Sequence, residues 1–176
     1  MPIDLKKYIR GVKDFPKKGI MFRDITTLLK DPEASKQTLD LLFNYAKDLN
    51  VTKVVGIEAR GFIFGALLAD KLDAGFVPIR KPGKLPAEKE SATYALEYGN
   101  DTIEIHKDAI QYGEKVLLHD DLLATGGTAK AAANLIEKLG GEVIQISFII
   151  ELTLLNGRDK LKNYDVRSLI EYDTEE

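Results

Sequence analysis

Two adjacent carboxylates, Asp120 and Asp121, stand just ahead of a run of small residues, Ala124-Thr125-Gly126-Gly127-Thr128, which leads into an alanine-rich, helix-favouring segment. Glycines let a backbone approach an anion with no Cβ in the way. The threonines add hydroxyl donors, and a helix start offers unsatisfied N–H groups at the positive end of its dipole. A phosphate is the expected occupant. Two acids beside a phosphate would repel it, so Asp120 and Asp121 must face something else: sugar hydroxyls, which donate to carboxylates, or a hard cation such as Mg²⁺ that phosphate oxygens also hold. Together these describe a phosphorylated ribose. A single glycine-rich loop is more often an ordinary turn, but here two acids, two threonines and two glycines fall within nine residues. Neither G-x-x-x-x-G-K-[ST] nor G-x-G-x-x-G after a strand occurs, which counts against a P-loop nucleotidase and a dinucleotide fold.

The cluster needs elements to position it. Val116-Leu117-Leu118 reads as a buried strand ahead of the acids, and the following helix stops at Gly140-Gly141. The same order recurs upstream. A strand over 53–57 meets the turn Glu58-Ala59-Arg60-Gly61 and then a second helix, in which Gly61 and Gly65 suit close packing. Ligands of open α/β sheets gather at the carboxyl ends of strands, so Arg60 is an anion-binding candidate; its plainer fate is a salt bridge with Glu58. A third strand over 76–79 runs into Arg80, Lys81 and Lys84, which are either a solvated charge run or partners for the anion. Residues 85–110 break this rhythm. They read as two alternating strands around Gly99-Asn100, a hairpin inserted as a lid.

Asp31-Pro32 is a helix start, and Leu39, Leu42, Phe43, Ala46 and Leu49 then face a core. Residues 142–152 and 166–172 are further strands, joined by a helical turn or two near 156–162. At the other end, 4–12 reads as a short helix and 14–25 as an irregular connection, with Ile20 plugging the core. Phe22, between Met21 and Arg23, reads either as a second plug or as a flat face for a ring whose polar edge the loop backbone would read. Strands alternating with helices predict an α/β, Rossmann-like parallel sheet covered on both faces, with the site at the strands' carboxyl ends.

Composition narrows the class. At 176 residues, 44% hydrophobic and 30% charged, the chain suits one globular domain over 1–176 with a sizeable core. A net charge of −3 and a pI near 5.5 argue against nucleic acid as the main partner. There is no cysteine and only His106 and His119, so disulfides, thiolate metal sites and multi-histidine sites are not expected. The opening residues lack an apolar signal core and no stretch is long enough to span a bilayer, so the expected compartment is the cytoplasm and no membrane partner is expected.

At Asp120 to Thr128 the chain resembles the type I phosphoribosyltransferase family, and the variant is similar to that of its adenine-using members. The resemblance covers nearly the whole chain. It implies a purine salvage enzyme that transfers the phosphoribosyl group of phosphoribosyl pyrophosphate to adenine, giving AMP and pyrophosphate, with Mg²⁺ held through water and substrate at Asp120 and Asp121. It implies 5′-phosphate binding by Ala124, Thr125, Gly126, Gly127 and Thr128, and ribose binding by the acids. Arg60 would hold the leaving pyrophosphate with Arg80, Lys81 and Lys84, part of which would reach a neighbouring subunit of a homodimer. Met21, Phe22 and Arg23 would form the adenine site in a hood of about 1–30. A mobile flap of about 83–106 would carry Ala95-Leu96-Glu97-Tyr98-Gly99, with Glu97 handling a proton on the base. His119 departs from the family's usual aliphatic residue and is expected to be a satisfied core histidine. Two other readings stand beside this one: a transferase for another purine such as xanthine or hypoxanthine, and a regulator that senses phosphoribosyl pyrophosphate. The regulator would need a DNA-binding extension or a basic face, and the sequence shows neither.

Overall fold

The computed structural model describes residues 3–96 and 99–174. A single 3-10 turn, Leu5–Tyr8, precedes the antiparallel pair β1 (Arg10–Lys13) and β2 (Met21–Asp24), with Val12 opposite Phe22. The expected helix over 4–12 therefore ends early. Gly11 weakens so short a helix, and pairing with a strand distant in sequence gives its backbone better partners. The expected irregular stretch over 14–25 likewise contains β2. Ile20, expected in the core, is 45% exposed, whereas Ile25 and Leu28 are fully buried.

After the short helix α1 (Thr26–Leu29), α2 (Pro32–Ala46) starts as its sequence predicts, with Asp31 accepting from the Ala34 N–H at 2.9 Å. Then come β3 (Lys53–Ile57), α3 (Gly61–Lys71) and β4 (Gly75–Ile79), followed by the hairpin β5 (Lys89–Ala95) and β6 (Asn100–His106). The chain continues through β7 (Lys115–Leu123), α4 (Gly127–Lys138), β8 (Glu142–Leu152), two 3-10 turns and β9 (Val166–Tyr172).

Five of these strands form one parallel sheet in the order β4-β3-β7-β8-β9. Strand alternation divides β7 between two cores: Val116 and Leu118 pack with Ala132, Leu135 and Ile136 of α4, whereas Leu117 packs with Phe64 and Leu68 of α3. α3 and α4 thus cover opposite faces. Connections from β3 run one way across the sheet and those from β7 the other, so the crevice of this fold lies between the carboxyl ends of β3 and β7.

β7 is longer than its apolar run. Its pairing with β8 continues through Asp120↔Phe148 to Leu123↔Glu151, so both acids sit inside the strand instead of after it. The hairpin, too, is only partly a projection. Ile103 and Ile105 are buried in the core beneath α4, and Arg80 bridges to Glu104, which anchors the base of the hairpin to the end of β4.

Candidate active site

Two strand–turn–helix units converge at the crevice. At the first, Arg60 is the residue ahead of α3; at the second, Gly126 holds that place ahead of α4. α3 crosses β7 closely at Gly61, where a Cβ would lie 2.9 Å from the His119 carbonyl oxygen and 3.0 Å from Asp120 Oδ1. A larger residue at Gly61 would push Asp120 out of place.

The two acids diverge. Asp120 lines a recess with Ala124, Thr125, Gly126, Gly127 and Thr128, and its Oδ1 accepts from the Asp121 N–H at 2.8 Å. Asp121 is buried and faces Arg60, whose Nε lies 2.8 Å from Oδ2. Burial and then the charge of Asp121 push the Asp120 carboxyl well above its ordinary range. Burial also raises Asp121, with the Arg60 guanidinium opposing it. Hydroxyl donors or a cation would relieve both. Among the described residues no group of three or more His, Asp or Glu stands ready to hold a metal unaided. A divalent cation here would complete its shell with water and substrate oxygens, which suits Mg²⁺.

The loop ahead of α4 is held by backbone. Gly126 has φ +78°, and a Cβ there would overlap the carbonyl oxygen of Gly157; a Cβ on Gly157 would overlap the carbonyl oxygen of Ala124. No side chain caps α4 at Gly126, and its first turn holds no acid, so no side chain satisfies its leading N–H groups from within the helix.

The cationic run is gathered by Glu58, which accepts from the Lys81 N–H at 2.8 Å, from Arg80 Nε at 3.2 Å and from Lys84 Nζ. Burial raises this carboxyl, but Lys84, the Lys81 N–H and Arg80 outweigh it and hold it at about 2. Glu58 therefore pairs with Arg80 and Lys84, and Arg60 goes to Asp121; the Arg60–Glu58 bridge considered from sequence does not form. Lys81 instead reaches Asp101 on the hairpin. Asp101 also accepts from the Tyr94 hydroxyl at 3.1 Å, and Tyr94 accepts from Thr128 Oγ1 at 3.1 Å. The loop ahead of α4, the hairpin and the cationic run are thus joined through one chain of polar contacts.

The three hood residues do not act alike. Phe22 packs edge-to-face on Phe15 with centroids 5.2 Å apart, and the Arg60 guanidinium lies 4.8 Å from its ring centroid. Arg23 turns away: it is 8% exposed, with its guanidinium 3.9 Å from the ring centroid of Tyr172 on β9. Its side chain braces the ribbon, leaving its backbone to meet a ligand. β2 belongs to a two-stranded sheet, so its outer edge can supply N–H and C=O groups. Glu97, the expected proton-handling group, lies outside the described residues.

His119 is buried with Nδ1 2.9 Å from Ser147 Oγ, while Nε2 has no partner among the described residues. It is half satisfied, short of the full satisfaction expected. Burial pushes its pKa down to about 4, against the Ser147 hydrogen bond, so it is neutral at physiological pH.

Sequence reasoning missed Tyr94, Asp101 and the Gly157 segment. The first two had a signal: a hairpin turning at Gly99-Asn100 places Tyr94 opposite Asp101. Gly157 lies on a different connection from the loop it supports, and nothing local marks it.

The phosphoribosyl transferase domain family matches residues 24–175. Over 170 residues the chain is 58% identical to an adenine phosphoribosyltransferase of Christiangramia forsetii, covering 97% of this chain and 99% of that one. The crystal structure of adenine phosphoribosyltransferase from Thermoanaerobacter pseudethanolicus superposes with a TM-score of 0.93 at 54% identity, covering 96% and 98% of the two chains. The enzyme from Saccharomyces cerevisiae, crystallised with an imino-altritol bisphosphate and adenine, gives 0.89 at 41% identity, covering 94% and 96%.

Proposed function

We infer the reaction from one premise: the chain belongs to the phosphoribosyl transferase domain family. It is a purine salvage enzyme that transfers the phosphoribosyl group of phosphoribosyl pyrophosphate to adenine, giving AMP and pyrophosphate. The observation that carries this reading is the single recess that brings Asp120 together with the uncapped start of α4. Adenine N9 attacks the anomeric carbon as the bond from that carbon to the pyrophosphate oxygen breaks. The electron pair leaves with pyrophosphate, and N9 loses its proton.

The residues of this chain position and neutralise the groups involved. The Ala124–Thr128 backbone takes the 5′-phosphate, and Asp120 and Asp121 take the ribose hydroxyls. Arg80, Lys81 and Lys84 face the pyrophosphate. Arg60, paired with Asp121 and beside Phe22, stands between ribose and base and orients the acid as well as meeting the leaving group. Phe22 stacks on adenine while the backbone of Met21 to Arg23 reads its edge. Glu97 is assigned the N9 proton from the family resemblance alone. Mg²⁺, when bound through water and substrate at Asp120 and Asp121, would neutralise charge on the departing pyrophosphate.

Residues 1–30 serve as hood and 83–106 as flap. The substrate is a highly charged intracellular metabolite, so the reading places the protein in the cytoplasm; among the described residues no helix is long and apolar enough to cross a membrane. Homodimerisation accords with the apolar side chains on the outer faces of the helices, Ile63 and Leu67 on α3 and Leu41 and Tyr45 on α2. Sedimentation should give a dimer at assay concentrations, and a fully active monomer would refute it.

The test of the base compares kcat/KM for adenine, hypoxanthine, guanine and xanthine, with and without Mg²⁺, in the wild type and in Phe22→Ala. A mismatched polar edge leaves buried groups unpaired at about 1–3 kcal/mol each, so adenine should lead by roughly ten- to a hundredfold or more. Losing the stacking ring should lower adenine kcat/KM by roughly 5- to 150-fold. A 6-oxopurine used as well as adenine overturns the base assignment. An unaffected Phe22→Ala means the base is held elsewhere.

A further inference from the structure

The connection between β8 and β9 locks onto the phosphate loop at one end and the core at the other. Gly157 packs backbone to backbone against Ala124 and Gly126, and Leu161, 1% exposed, is buried beneath α4. Between them Arg158 is clamped to Glu151 by Nε and Nη2 at 2.7 Å each, and it also donates to the Val166 carbonyl at 3.0 Å. The backbone carrying Lys160 is therefore fixed relative to the loop. Its ammonium lies 3.8 Å from where a Cβ on Gly127 would stand, and Gly127 opens α4. The neighbouring cations have acids, Glu151 for Arg158 and Asp159 for Lys162. Lys160 forms no ion pair among the described residues.

We propose that Lys160 is a binding residue for the 5′-phosphate of the substrate and of the nucleotide product. This rests on the transferase reading. The loop's N–H groups supply partial charges, whereas a phosphate monoester carries close to two negative charges at neutral pH. An ammonium beside the start of α4 supplies a full counter-charge, with a flexible stem that can follow the phosphate as it settles. Lys160 also separates the two phosphate groups of the reaction. The cations assigned to pyrophosphate are gathered on Glu58 at the β3–β4 side of the crevice, whereas Lys160 follows β8, across β7 from them. Its charge should be felt by ligands bearing the 5′-phosphate and little by pyrophosphate.

The experiment uses Lys160→Met, which keeps the apolar stem, and Lys160→Arg, which keeps the charge. KM for phosphoribosyl pyrophosphate and kcat are measured, and AMP, ribose 5-phosphate and pyrophosphate are titrated by calorimetry. In Lys160→Met, KM and the dissociation constants of AMP and ribose 5-phosphate should rise about tenfold. Pyrophosphate affinity, kcat and melting temperature should stay as in the wild type, and Lys160→Arg should recover most of the loss. Unchanged AMP binding overturns the proposal, and so does an equal loss for pyrophosphate, which would mark a general surface-charge effect. If the wild type makes no AMP from adenine and phosphoribosyl pyrophosphate, the transferase reading falls, and the ribose 5-phosphate titration still decides whether Lys160 meets a sugar phosphate.

Discussion

Asp120→Asn combined with Asp121→Asn should all but abolish phosphoribosyl transfer while leaving the fold in place. In the proposed role each ionised acid would give the ribose hydroxyls a charge-assisted hydrogen bond of roughly 1.5–3 kcal/mol, so losing both should cost about 3–6 kcal/mol, a fall of roughly 10²- to 10⁴-fold in kcat/KM. The sequence suggests that these acids face solvent and add little packing; the structure instead buries Asp121 against Arg60. Stability should nonetheless hold. Burial, joined at Asp120 by the charge of Asp121, raises both carboxyl pKa values, so the folded state disfavours their charge, and neutral side chains of the same shape relieve that cost. The Arg60 side chain, 41% exposed, can be solvated when its partner goes. Activity assays and thermal melts at pH 7 decide the matter. A double variant that still turns over briskly refutes the ribose role, and one that is markedly less stable refutes the argument from burial of charge.

Gly126→Ala should be among the most damaging single-methyl changes available to this chain. The residue sits at φ +78°, where an L side chain costs about 1–2 kcal/mol, and the new Cβ would meet the backbone of Gly157, which cannot rotate away as a side chain could. A total loss of roughly 2–4 kcal/mol follows, or about 4–16 °C in melting temperature for a chain of this size. Binding of phosphoribosyl pyrophosphate should weaken as well, because relief of the clash moves the loop. Gly113→Ala is the control: it has φ +82° with nothing within 4 Å, so it bears the conformational cost alone. If the two variants melt together, the interlock between Gly126 and Gly157 contributes nothing.

The fold was legible wherever a signal was local and repeated. Three strand–turn–helix or strand–loop units, the Asp31-Pro32 helix start and the hairpin at Gly99-Asn100 all read directly from the chain. What was misread depended on distant partners. Residues 10–13 become a strand because 21–24 lies beside them, and β7 runs on through two acids because β8 is long enough to keep pairing. The site divides the same way. The acids and the glycine loop lie within one stretch, so their chemistry was visible. The assignment of Arg60 to Asp121, of Glu58 to the cationic run and of Lys160 to the start of α4 joins residues that only the folded sheet brings together.

The stacking of Arg23 on Tyr172 has a consequence for synthesis. The ribbon that presents Phe22 leaves the ribosome well before the ring that braces it, which comes only with β9, after the other four strands of the parallel sheet. β9 thus serves two sheets at once: it closes the edge of the parallel sheet beside β8 and holds the β1–β2 ribbon through Tyr172, so the ribbon gains its brace only as the domain folds as a unit.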